Sequence, residues 1–320
     1  MSGAVFDEAT CDSNSSFIMD DIMVDLNTIG CVSKVKGIAQ YTNNTCEMMG
    51  LEIEIGFQLP TSFLTLIRLC FDNVNYIALY SYFNMTRFIV DHEHTDSIDF
   101  KQDDFYNIPS VNALYTREQQ RATVNTLLGI PVNDTRYIQD DSDLFLAKGH
   151  LTAKSDFVYG YQQDITFHYV NAAPQWQTFN GGNWELVENS VKKLAQDRNM
   201  DLAVYTGTFG ISTLPNTESV DTSLFLYVEG TLKELPVPEF YWKVVLDMVT
   251  SQAVAIIGVN NPYIQDSSKY IFCEDISSNL TWLEFKRDDL TNGFTYACDV
   301  NEFRQTVQQL PSFNVSGLLI

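Results

Sequence analysis

The stretch AKGHLTAKSDFVYGYQQDITFHYVNAAPQWQTFNGGNWELVENSVKK, residues 147–193, reads as a strand pair running into a helix, and it carries His150, one of four histidines in the chain. Trp184, Val187, Val191, Leu194 and Ala195 recur at the spacing of one helix face, which predicts a helix over residues 183–199. Glu185 and Glu188 fall near its start and Lys192, Lys193 and Arg198 towards its end, as a helix dipole favours. Gly181 and Gly182 allow a sharp turn into it. Ahead of them DITFHYV (164–170) reads as a strand ending at Asn171, with a polar loop that delivers Asn180. A hairpin followed by a helix gathers His150, Asn171, Asn180 and Glu188 around one cavity. That set has a chemistry. A neutral imidazole accepts a proton from water near neutral pH. An amide oxygen is a hard donor suited to Mg2+. A carboxylate beside it orients the ion's waters, and nearby lysines bind phosphate.

Composition limits what such a cavity can serve. The 320 residues are 45% hydrophobic and 13% aromatic, enough for a sizeable core. With 41 acidic and 19 basic residues the net charge is −22, a field that opposes nucleic acid and anionic membranes. A polyanionic partner therefore requires a local basic pocket or a metal ion. Six cysteines (Cys11, Cys31, Cys46, Cys70, Cys273, Cys298) without a C-x-x-C pair argue against zinc-ribbon and thioredoxin-like sites, and the even count fits three disulfides. Six Asn-x-Ser/Thr sequons, at Asn14, Asn43, Asn84, Asn133, Asn279 and Asn314, point with the cysteines to an extracellular protein. No apolar run reaches membrane-spanning length. The start, MSGAVFDEATCD, has neither the basic nor the apolar segment of a signal peptide, which suggests a mature chain.

Residues 1–66 hold three of the cysteines and alternating runs such as LEIEIGFQL, and read as a small β-rich, disulfide-supported region. Residues 67–320 read as one α+β domain with strands dominating: NYIALYSYF, DITFHYV, DLAVYTGTFG, SLFLYV and QAVAIIGV. Pro236 and Pro238 flank a loop before FYWKVVLDMV. DHEHT (91–95) places His92 and His94 on one face of an exposed polar strand, with metal chelation as the alternative. His168 is expected to pack beside aromatics, and Trp176 and Trp184 in the core rather than as base-stacking platforms. The basic residues of VKKLAQDR read as a solvated helix face.

The segment from Leu146 to Gly210 resembles the DNA/RNA non-specific endonucleases of the ββα-metal type, most closely their arthropod secreted branch. The hallmark Asp-Arg-Gly-His, Ala-Arg-Gly-His in that branch, stands here as Ala147-Lys148-Gly149-His150. VNAAPQ, with Asn171, matches a second motif, and Asn180 with Glu188 eight residues later matches a third. VYTGT (204–208) and IGVNNP (257–262) extend the likeness, which covers residues 67–310. The resemblance implies an α+β, ββα-metal nuclease fold with a central antiparallel sheet and a metal-site helix, preceded by the small β-rich region. It implies Mg2+, with Mn2+ as a substitute. His150 is then the general base, Asn180 the direct metal ligand and Glu188 the holder of a metal-bound water. Asn171 positions His150 or the phosphate. Lys148, Lys192 and Arg117, the last 33 residues before His150, contact substrate. The implied activity is secreted, sugar-non-specific hydrolysis of DNA and RNA, double strands included, to 5′-phosphorylated products. Lys148 stands where the family has arginine, a point charge in place of a bidentate fork. Together with the net charge of −22 it keeps open an alternative, a weak or inactive nuclease-fold glycoprotein that binds nucleic acid or another ligand. Among the cysteines the expected pair is Cys273–Cys298.

Overall fold

The structure is a computed structural model that describes residues 35–320 and three short antiparallel strands, Thr10–Ser13, Ser16–Met19 and Ile22–Asp25. Cys31, Asn14 and the side chain of Cys11 lie outside the described residues. The main elements are β1 (Ile38–Thr45), β2 (Leu51–Gln58), β3 (Phe63–Asp72), β4 (Ile77–Met85), α1 (Arg117–Leu128), β5 (Leu146–His150), β6 (Ala172–Trp176) and α2 (Glu185–Asp197). They continue with β7 (Leu202–Phe209), β8 (Phe240–Asp247), β9 (Gln252–Val259), β10 (Thr295–Cys298) and α3 (Val300–Thr306).

Alternation along the strands sorts the side chains into two buried faces, because successive residues point to opposite sides of a sheet. In β8, Tyr241 and Val245 join one apolar cluster and Trp242 and Val244 the other. Eight strands and the short Gly317–Leu318 form a nine-stranded sheet in the order β10-β9-β8-β7-β4-β3-β2-β1, with Gly317–Leu318 parallel to the start of β9. All other neighbours in it are antiparallel. One face carries Ile53, Ile67, Val204, Tyr241 and Ile256 and is covered by α2, through Val187, Val191 and Leu194, and by the separate β5–β6 hairpin. The other face carries Trp242, Ile257 and Tyr296 and is covered by α3 and the chain after it, with Trp242 and Phe303 rings 5.5 Å apart. Full burial of each large apolar side chain contributes about 1.5–3 kcal/mol. The molecule is α+β with three layers.

Three expectations are corrected. The division at residue 66 falls inside β3, which pairs with β2 from Leu51↔Phe71 to Gln58↔Phe63, and the Cys46–Cys70 disulfide also crosses it. Residues 38–58 therefore belong to the main sheet, and of the described strands before residue 66 only those between Thr10 and Asp25 stand apart from it. DITFHYV is not a strand: Gly160–Asp164 is a helical turn, Tyr169–Asn171 a 3-10 turn, and the strand begins after Asn171 as AAPQW. Its apolar alternation reports burial without pairing, since Ile165, Phe167 and Val170 are core residues and His168 makes only an isolated bridge to Lys101. DHEHT is irregular chain after a 3-10 turn, Ile89–Asp91, with the His92 and His94 rings 5.0 Å apart. The other runs hold as strands, SLFLYV as Phe225–Glu229 in a hairpin with Leu232–Pro236.

Cys273 and Cys298 are bonded as expected, and Cys46–Cys70 staples the loop before β2 to β3. The Cys46–Cys70 bond closes a separation of 24 residues. Loop-closure entropy then predicts that a Cys46→Ala/Cys70→Ala double variant loses about 3 kcal/mol of unfolding free energy in a denaturant titration. A loss under about 0.5 kcal/mol removes the staple from the stability of this sheet edge.

Candidate active site

The site is built on the hairpin and the helix that follows it. β5 and β6 pair in register, Leu146 opposite Trp176 and His150 opposite Ala172. Gly149 is demanded by the approach of the sheet beneath: a Cβ there would lie 2.3 Å from Gln175 Oε1 and 2.7 Å from the Tyr241 hydroxyl. That hydroxyl donates to the Ala173 carbonyl (2.8 Å). With Gly149 against the sheet, Lys148 and His150 project from the opposite face of β5. After β6 the chain makes a helical turn, Gln177–Phe179, then a π-helical turn, Asn180–Trp184, broken at Gly182, and enters α2. π-bulges of this kind frequently mark functional sites. Phe179, Trp184 and Tyr241 pack as a ring cluster with centroids 5.4–6.0 Å apart, fixing the turn on β8. α2 runs back along the hairpin, so that the Lys192 ammonium donates to Ser155 Oγ (2.7 Å), five residues past His150.

His150 is packed between the Phe100 and Phe167 rings, at 4.9 and 5.0 Å. Among the described residues its buried Nε2 meets no hydrogen-bond partner. Burial, and then the Lys154 charge, push its pKa down to about 4, so the imidazole is neutral at neutral pH. Lys148 lies over the Phe100 and Tyr169 rings (5.2 and 5.3 Å) and donates to Asn112 Oδ1 (2.7 Å), which also accepts from the Tyr169 hydroxyl. Burial lowers the Lys148 pKa, partly offset by Asp99.

Glu188 is held where a carboxylate is costly. Desolvation raises its pKa to about 7, against the lowering influence of Lys243 and with Asp156 adding to the rise. Lys243, 1% exposed, stands on the β8 face beneath the helix and donates to Thr206 Oγ1 (2.6 Å). A hydroxyl row continues across the sheet: Thr152 Oγ1 donates to Ser81 Oγ (2.9 Å), and Ser81 Oγ to the Thr206 carbonyl (3.4 Å). Asn180 directs its Nδ2 to Gln177 Oε1 (3.1 Å), and neither its Oδ1 nor the Glu188 carboxylate accepts a protein hydrogen bond among the described residues. Two hard oxygen donors lacking donors of their own, one on a carboxylate that is expensive to ionise, suit a hydrated divalent cation such as Mg2+. Among the described residues no three His, Cys, Asp or Glu side chains converge, which disfavours a zinc-type cage.

Two expected site residues are bonded to the scaffold. Asn171 is fully buried behind the hairpin: its Oδ1 accepts from Thr152 N–H (3.0 Å), and its Nδ2 donates to the Thr152 and Thr166 carbonyls (2.9 and 3.0 Å). With its amide bonded to backbone, it holds the chain leaving His150. Arg117 donates through Nη1 to the Gln139 and Ser142 carbonyls (2.5 and 2.8 Å) and stacks on Phe145 (3.7 Å), bracing the loop that leads into β5. Lys192 is buried beside Ser155 and is part of the charge cluster around Glu188. Lys243, Lys154, Asn112 and Phe100 were not foreseen. Lys243 alone left a trace in the sequence, a lysine inside the apolar run FYWKVVLDMV. His168 is buried with Nδ1 2.6 Å from Asp103 Oδ2, and Trp176 and Trp184 are core residues.

A strand hairpin carrying a neutral histidine runs through a distorted turn into a helix whose Lys192 reaches back to Ser155, a strand–strand–helix succession of the ββα type. The chain belongs to the DNA/RNA non-specific endonuclease family, whose sequence profile matches residues 47–303. It is 28% identical over 285 residues to a salivary endonuclease of Lutzomyia longipalpis, covering 87% of this chain and 66% of that protein. It is 27% identical over 188 residues to salivary protein Tsal1 of Glossina morsitans morsitans, covering 58% of this chain and 46% of that one. The chain thus spans about two thirds and about half of the lengths of these two relatives. Among solved structures it is similar to a chain of the EndoG/EndoGI complex, with TM-score 0.47 and 17% identity over 80% of this chain and 89% of that one.

Asn171→Ala strands one buried N–H and two buried carbonyls, each costing about 1–3 kcal/mol when unmet, so the variant should lose about 3 kcal/mol of stability. Denaturant unfolding checks it. Unchanged stability with lost activity returns Asn171 to the catalytic group.

Proposed function

We propose that the chain is a secreted, Mg2+-dependent endonuclease that hydrolyses phosphodiester bonds of DNA and RNA, double strands included, to 5′-phosphorylated products, with Mn2+ able to replace Mg2+. The observation that carries this reading is the combination of a histidine held neutral with two oxygen donors, Asn180 Oδ1 and Glu188, that lack protein hydrogens. His150 accepts the proton of the attacking water, and packing against Phe100 and Phe167 fixes the ring's direction. Asn180 would hold the ion directly and the ionised Glu188 one of its waters, and the ion would supply positive charge at the phosphate and an acidic water for the leaving oxygen. Lys148, two residues from His150 on the same strand face, presents its ammonium to the phosphate. Lys192 and Lys243 favour the ionised form of Glu188 in a chain whose overall field repels the substrate. Phosphate contacts carry no sequence information, which fits indifference to base sequence.

Secretion is supported by the two disulfides, by exposed sequon asparagines (Asn43, Asn84, Asn133, Asn279, Asn314) and by the salivary designation of the relatives. One observation favours the alternative of binding without efficient cleavage: the Lys148 ammonium is already hydrogen-bonded to Asn112.

Plasmid nicking in Mg2+, abolished by EDTA, separates the two readings. His150→Ala should lower the rate by at least about 100-fold while the fold, followed by circular dichroism, is retained. A variant with near-parental rate removes His150 from the mechanism.

Glu188 also sets a pH dependence. Its folded pKa, about 7, lies above the ordinary 4.5, so ionisation in the metal-free fold is penalised and stability falls as pH rises between those values. A cation that needs the carboxylate reverses this above the folded pKa. The Mg2+-induced rise in melting temperature should therefore be larger above pH 7 than below it, and Glu188→Gln should flatten the difference. Equal Mg2+ shifts across that range in the parent protein would exclude Glu188 from the ion's shell.

A further inference from the structure

The loop at 284–293, remote in sequence from the hairpin and helix, is locked onto the turn that carries Asn180. Asn183 is fully buried and directs its whole side chain at this loop: Oδ1 accepts from Lys286 N–H (2.8 Å), while Nδ2 donates to the Lys286 and Gly293 carbonyls (3.0 and 2.7 Å). The backbone adds a bond, Asn183 N–H to the Asn292 carbonyl (3.0 Å). Contact is so close that a Cβ at Gly182 would lie 2.8 Å from the Asn292 Cβ. Lys286 is thereby held from both sides of its peptide by a residue three positions beyond Asn180. Its side chain is exposed and forms no ion pair among the described residues, unlike Arg287, which is paired with Asp275. It lines both a cleft of about 150 Å3 with Gly181, Gly182 and Glu185 and a wider one of about 550 Å3 along its own loop. The nearby Asp289 carboxylate accepts from the Asn292 side chain and N–H, which with the Lys286 charge hold its pKa down.

We propose that Lys286 is a further substrate-binding residue, taking a backbone phosphate adjacent to the scissile one and extending the polyanion contact from the hairpin–helix unit onto the 284–293 loop. The proposal rests on the nuclease reading above. Only the side chain has to be ordered on meeting a phosphate, because the backbone is already fixed beside the Asn180 turn. The contact is electrostatic and indifferent to base, as a sugar-non-specific substrate requires. It also places a cation in the cleft that Glu185 lines, where that carboxylate would otherwise repel the chain.

The test is steady-state cleavage of one short duplex by the parent protein and by Lys286→Gln, Lys286→Arg and Lys269→Gln, the last an exposed lysine on the turn Ser267–Tyr270. Loss of one phosphate contact should raise KM with kcat unchanged and reduce the slope of log KM against log salt by about 0.9. The KM ratio of Lys286→Gln to parent should then be about threefold larger at 50 mM than at 200 mM salt. Lys286→Arg should restore both KM and slope, and Lys269→Gln should change neither. A parent that cuts, with Lys286→Gln matching its KM and salt slope, overturns the proposal. A fall in kcat with an unaltered slope does so as well, since it marks disturbed folding of the loop. A parent that binds the duplex but never cuts it in Mg2+ sinks the nuclease reading instead, and the salt slope of binding, read by fluorescence anisotropy, still decides whether Lys286 meets a phosphate.

Discussion

Buried asparagine amides, used as substitutes for peptide groups, hold this molecule's separate pieces in one arrangement. Asn260, in the IGVNNP run, accepts from Trp176 N–H (2.8 Å) and donates to the Pro174 and Pro238 carbonyls (3.0 and 2.9 Å). It thereby gives β6 a hydrogen-bonding partner on the edge that β5 does not cover. Asn171 does the same for the chain leaving His150, and Asn183 for the loop at Lys286. A primary amide offers one acceptor and two donors, so a single side chain meets an N–H and two carbonyls that would otherwise be buried unmet. The separate hairpin, the π-helical turn and the 284–293 loop depend on these joints, because none of them is a strand of the main sheet.

The electrostatics follow from where those joints put the charges. Four lysines, Lys148, Lys154, Lys192 and Lys243, stand around the hairpin and helix of a chain with net charge −22. Each is constrained: Lys148 by Asn112 and two aromatic faces, Lys192 by Ser155, Lys243 by Thr206, and Lys154 by the Thr95 carbonyl. Fixed ammonium groups in a partly dehydrated pocket act more strongly than mobile ones on an open surface, since the local dielectric is lower. The same dehydration opposes ionisation of Glu188 and protonation of His150. One environment thus favours a neutral base and a carboxylate that gains from a cation.

The sequence by itself determined the parts whose signal is local. The apolar face of α2, the long strands of the sheet and the motifs that place His150, Asn180 and Glu188 are written in spacing and residue type, because helix and strand periodicities need only neighbouring residues. The Cys273–Cys298 pair was also within reach. Burial, by contrast, imitates pairing in DITFHYV, and no local signal shows that β3 runs through residue 66, because alternation does not say which strand lies alongside. Tertiary structure alone decided the roles of polar residues. Asn171 and Arg117 turn to backbone carbonyls rather than to the cleft, and Lys243 comes beneath Glu188 across 55 residues of chain. Those roles follow from which buried groups lack partners once the layers have packed, a condition no stretch of sequence contains on its own.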